Sequence, residues 1–185
     1  MNAPVTTVLD ASVVHDQVSA VAQEVFAAMV DGDAGLLLPW EGELPVLAEP
    51  VVAWVDLHGD WAGRLALRTG APTANALARA LLGLPDEAEV SHADLVDACG
   101  EVANVVGGNF KSLLPGPGTL GLPQVGDVLP QTPGALRLQE LPLAWRGQLL
   151  AVEVWSFGAQ DAPRAAVATH DGPAIPDQHG GGDHA

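Results

Sequence analysis

The sequence predicts an α+β fold, an antiparallel β-sheet covered on one face by three amphipathic helices. Two pairs of strand-like runs, 51–58 with 61–68 and 135–145 with 148–157, each close around a short turn. Three other segments place apolar residues at helical spacing, and the order is helix, strands, helix, helix, strands.

Residues 1–11 read as a flexible leader. From Ser12, the positions Val14, Val18, Val21, Val25 and Met29 recur at intervals of three and four. That is one apolar stripe on a helix over 12–30, stopped near Gly32. Residues 31–50 mix short apolar runs with Gly and Pro, which predicts a loop with one short strand. VVAWVDLH and WAGRLALR then flank Gly59–Asp60 as a hairpin with a tight turn. Pro72 opens the next helix, which Gly83 and Pro85 halt.

An acidic linker, Asp86 to Glu89, leads to a long helix over 91–114. Ser91 is suited to cap it, with Asp94 as the acidic partner three residues on. At about 100° per residue, Asp97, Glu101, Asn104 and Gly108 fall within about 60° of one another. Val102, Leu95, Leu113, Val106, Cys99 and Phe110 lie on the opposite arc. The helix therefore has one buried stripe and one exposed polar stripe. Gly107–Gly108 twice accepts a helix-interior penalty of about 1 kcal/mol. Close approach by a neighbouring element or a partner would account for that, and so would a bend.

Beyond the helix, PGPGTLGLP is a Gly/Pro-rich crossover and LPQVGDVLP has room for a short strand. The second hairpin turns at Arg146–Gly147. Trp54, Trp61, Trp145 and Trp155 all fall in predicted strands, where packing against the helices is expected. The apolar pattern fades after Phe157, and 159–185 reads as a disordered tail with acidic residues and histidines. The folded domain is thus 12–158.

Composition narrows the partners. Among 185 residues, seven Lys plus Arg stand against 23 Asp plus Glu, a net charge of −16. Such a chain cannot readily assemble a basic groove for nucleic acid or a patch for an anionic membrane. No stretch approaches transmembrane length, and a cytoplasmic protein is the expectation. Cys99 is the one cysteine, so no intrachain disulfide forms. Its helical position reads as a small buried hydrophobe. His15, His58 and His92 share no ligand spacing and read as surface or capping residues. His170, His179 and His184, with Asp171, Asp177 and Asp183, could offer at most weak metal binding in the tail.

The run Asp97-x-x-x-Glu101-x-x-Asn104-x-x-x-Gly108 resembles the signature of the CheC/CheX/FliY family of chemotaxis phosphatases. VVAWVDLHGDWAGRLALR…ALARALLG is similar to that family's hairpin-then-helix segment, and GEVANVVGG to its signature helix. Leu122–Pro123 falls where members carry a proline before a strand. The likeness covers residues 12–157 and is nearest to CheX-like members with a single motif, because the first helix holds no Glu-x-x-Asn. It implies dephosphorylation of the aspartyl phosphate on a CheY-like receiver domain. The receiver is expected to bring the phosphoaspartate, a Mg²⁺ and a lysine, so this chain itself would bind no cofactor.

By that resemblance the catalytic residues are Glu101, which would pair with the receiver lysine, and Asn104, which would orient the attacking water. Asp97 would assist docking, and Gly108 would let the receiver approach closely. A homodimer joined through the sheets is implied on the same ground. Two other readings fit these residues: a non-catalytic domain that docks a receiver or another signalling protein, and an acidic structural protein whose helix face is only surface.

Overall fold

The computed structural model describes residues 11–158. The leader expected over 1–11, except Ala11, and the tail expected over 159–185 lie outside the described residues. Helix α1 spans Ala11–Phe26, and Val14, Val18, Val21 and Val25 are all buried along one side. The expected helix to residue 30 is not uniform. Its last turn widens to π geometry over Ala27–Asp31, and Gly32 ends it at φ 71°. Asp31 there receives Trp145 Nε1 and, at 2.7 Å, the Arg146 guanidinium.

Strand β1, Leu37–Pro39, is the short strand expected in the 31–50 segment. Strands β2, Pro50–Gly59, and β3, Gly63–Gly70, pair antiparallel with Leu57 opposite Gly63. His58 to Ala62 therefore lie between the last partners, and the turn is broader than the tight link expected at Gly59–Asp60. His58 and Gly59 extend β2 past its pairing with β3 and pair on the other edge with Thr119 and Gly118. Helix α2, Ala71–Leu82, carries Pro72 in its first turn and ends at Gly83 with φ 63°. Helix α3 spans His92–Leu113.

The segment after α3 contains one more strand than expected. Strand β4, Gly118–Leu120, pairs with the end of β2, and β5, Gln124–Gly126, pairs with Val52–Trp54 of the same strand. Strands β6, Leu136–Trp145, and β7, Gln148–Ser156, form the second hairpin. Arg146 and Gly147 sit at φ 51° and 73°, the two positive values that a two-residue primed turn requires.

The seven strands form one sheet in the order β1-β6-β7-β3-β2-β4, with β5 also on β2. Strand alternation sends Ala53, Val55, Leu65, Leu67, Val152 and Val154 into one core with all three helices. The fold is α+β, with the antiparallel sheet and three covering helices expected. The tryptophans divide, contrary to expectation. Trp145 meets Phe26 of α1 edge-on, and Trp61, outside the strands, meets Phe110 of α3. Trp54 instead packs with Val52, Ala66 and Leu129 on the far face of the sheet. Trp155 is two residues in register from buried Glu153 and donates its Nε1 to that carboxylate at 3.0 Å. The segment carrying Leu129 covers that far face, so the sheet is buried on both sides at its centre.

Candidate functional site

The polar face belongs to α3, whose start is fixed by Ser91. The Ser91 hydroxyl accepts from the Asp94 backbone N–H at 3.1 Å and donates to the Asp94 carboxylate at 2.7 Å. The acidic side chain thus braces the cap, as its spacing implied, but by bonding the hydroxyl rather than the cap's backbone. Ala98, Cys99, Val102, Ala103, Val106 and Phe110 are buried on the inward side. Leu113, placed on the apolar stripe, is instead 44 % exposed. It is the last residue of the helix. Burial pushes the Cys99 thiol from 9.0 up to about 11, which leaves it an inert packing group.

Asp97 and Glu101 are exposed, and Asn104 and Gly108 are half-buried. The other side-chain bonds of α3 among the described residues lie elsewhere: Asn109 to the Val105 carbonyl, Ser112 to the Asn109 carbonyl, and Lys111 to the Gly118 carbonyl. Among the described residues, the Glu101 and Asn104 side chains make no hydrogen bond. One helical turn separates them on one face.

The two adjacent glycines have different surroundings. A Cβ at Gly107 would collide with Val55 Cγ2 of β2, so the helix lies directly on the sheet there. At Gly108 the nearest atom would be Leu120 Cδ1 at 3.6 Å, an ordinary contact. Internal packing therefore explains the first glycine and not the second. Farther up the helix, a Cβ at Gly100 would meet Pro123 Cβ at 3.5 Å. The linker between β4 and β5 thus runs beside the face. It is pinned to β2 through the Gly121 N–H, which donates to the Asp56 carbonyl at 2.8 Å.

A cavity of about 420 Å³ lies on the far face of the sheet, lined in part by Arg64, Arg68, Arg137, Glu153 and Trp155. Sequence reasoning named only Trp155 among them, and as a residue packed against the helices. The alternation Arg64-Leu65-Ala66-Leu67-Arg68 was the available signal, since it places both arginines on the face opposite the leucines. Their charges are already matched: Arg64 to Asp56 at 2.6 Å, Arg68 to Glu140 and Glu153 at 2.8 Å, and Arg137 to Glu140 at 2.8 Å. No cluster of His, Cys, Asp or Glu able to hold a metal occurs among the described residues. Nor is any described helix long and apolar enough to cross a membrane.

Residues 51–128, from β2 through β5 and including all of α3, match the family model described as "Chemotaxis phosphatase CheX". Over that segment the chain is similar to CheX, and its fold is that of CheX and FliY proteins. CheX from Vibrio vulnificus superposes with a TM-score of 0.59 at 18 % identity, covering 85 % of this chain and 100 % of that one. A chain of the CheX-CheY-BeF3-Mg²⁺ complex from Borrelia burgdorferi gives 0.59 at 18 % identity, covering 77 % and 97 %. FliY from Thermotoga maritima gives 0.52 at 15 % identity, covering 83 % and 93 %. At these identities the structural likeness is one of fold. Among curated proteins, none matches the sequence.

Proposed function

We propose that this CheX-like chain speeds hydrolysis of the aspartyl phosphate on a CheY-like receiver domain. The observation that carries the reading is the pair Glu101 and Asn104, one turn apart on the outward side of α3, with side chains that bond no described residue. The Borrelia burgdorferi relative was crystallised with CheY, BeF3 and Mg²⁺, which supports a receiver as partner.

The chemistry asks little of this chain beyond placement. Water oxygen attacks phosphorus in line with the leaving carboxylate; the P–O bond to aspartate breaks with its electron pair on the carboxylate, and both water protons leave with inorganic phosphate. The receiver's Mg²⁺ supplies charge neutralisation at the phosphoryl oxygens. Asn104 offers a carbonyl acceptor and an amide donor on one planar group, enough to hold a water in one orientation. Glu101 presents an exposed carboxylate that suits a receiver lysine. Asp97, one turn before it, adds a second negative charge to the docking face, and Gly108 leaves the helix surface low where a receiver backbone would lie.

Phosphate release from purified phospho-receivers tests the reading. The intact protein is expected to exceed receiver autodephosphorylation, and Asn104→Ala to lower kcat about a hundredfold with Tm unchanged. Glu101→Ala should act mainly on KM. Binding without any acceleration by the intact protein would assign it instead as a receiver-docking domain.

A further inference from the structure

The linker between β4 and β5 carries a leucine that the fold does not use. Leu122 is 80 % exposed, while its neighbours are fixed. Gly121 is tied to the Asp56 carbonyl at 2.8 Å, and Pro123 rests against α3 at Gly100. Leu120 lies against Gly107 and Gly108. The linker therefore runs antiparallel to α3, from the level of Gly107 to that of Gly100.

Lengths locate Leu122 along the helix. Seven helical residues from Gly100 to Gly107 rise about 10 Å, and three extended residues from Leu120 to Pro123 span about 10 Å. The two segments are in step, which sets Gly121 and Leu122 beside the middle of the interval. Asn104 is the helical residue at that middle, four after Gly100 and three before Gly107. An apolar residue held outward, with both flanking residues fixed, has little backbone freedom left to lose on binding.

We infer that Leu122 is a docking residue for the receiver: it seats on an apolar patch of the partner bordering the phosphoaspartate cleft, beside the point where Asn104 enters. This rests on the phosphatase reading. It adds an apolar contact to the polar face of Asp97, Glu101, Asn104 and Gly108, and so gives that face a determinant of which receivers fit. The partner is the receiver itself, because the knob stands beside the residue that must reach the phosphate.

Steady-state hydrolysis against receiver concentration tests it, using the phospho-receiver that the intact protein dephosphorylates fastest. Leu122→Ala should raise KM about tenfold and leave kcat and Tm unchanged, and Leu122→Met should restore most of the loss. Asn104→Ala should show the reverse pattern. An unchanged KM in Leu122→Ala overturns the inference and leaves the phosphatase reading standing. If the intact protein hydrolyses nothing, that reading falls, and titration of BeF3-Mg²⁺-loaded receivers decides Leu122 separately. About tenfold weaker binding by Leu122→Ala would then support its seating role; equal binding, or none by the intact protein, would overturn it.

Discussion

A methyl group at Gly107 would drive into Val55, a fully buried β-branched side chain that cannot swing aside. One at Gly108 would only touch Leu120 at 3.6 Å. The two substitutions should therefore have opposite signs. Gly107→Ala overpacks the helix–sheet contact, at a cost toward the upper end of about 1–3 kcal/mol, which exceeds the gain in helix propensity. Gly108→Ala should instead stabilise by about 1 kcal/mol. Urea midpoints of the two variants check this, and a stabilised Gly107→Ala would show that α3 can lift from β2. If Gly108 is kept low for a receiver backbone, Gly108→Ala should also raise KM while raising stability. That pairing of gains and losses would separate a docking glycine from a structural one. The doublet alone could not make the distinction from sequence, because the cost of glycine in a helix is the same whichever face it occupies.

The hairpins and helices were legible because each carries its period plainly. Val14, Val18, Val21 and Val25 repeat at helical spacing, and Leu65, Leu67 alternate with Arg64, Ala66, Arg68. Strands β4 and β5 were not, since three residues show no period and the glycines and prolines around them read as loop. Trp54 was assigned to the helix face for a related reason. VVAWV is a continuous apolar run, the pattern of a strand buried on both sides, and the cover on its second side comes from a distant segment around Leu129. On that second side, Arg64 is 5 % exposed and bonds both Asp56 oxygens and the Pro130 carbonyl. Arg64→Met would leave the largely buried Asp56 carboxylate without its counter-charge, a loss toward the lower end of about 3–5 kcal/mol. Pairing it with Asp56→Asn should recover more than half. Denaturant unfolding of the single and double variants measures this, and additive losses would mean the pair contributes nothing through mutual attraction. The same strand holds Gly121 through the Asp56 backbone carbonyl, so a loosened β2 should also disturb the linker beside Asn104.

Over the whole chain the excess of acid is the dominant electrostatic fact, at −16. Among the described residues, every lysine and arginine is already engaged. Arg64, Arg68, Arg137 and Arg146 pair with carboxylates, Arg79 holds the Ala88 carbonyl, and Lys111 the Gly118 carbonyl. The α3 face consequently presents Asp94, Asp97 and Glu101 with no free cation beside them, and its neutral residue, Asn104, is the one suited to entering an anionic phosphate site. Unmatched carboxylates repel one another in the folded state more than in the expanded chain. Raising monovalent salt from about 10 mM to about 150 mM shortens the screening length from about 30 Å to about 8 Å. That should relieve the repulsion, while the largely buried Arg64–Asp56 pair is screened far less. The expected result is a Tm that climbs with sodium chloride over this range. A flat or falling Tm would mean that the local ion pairs, rather than the net field, set the salt dependence of the fold.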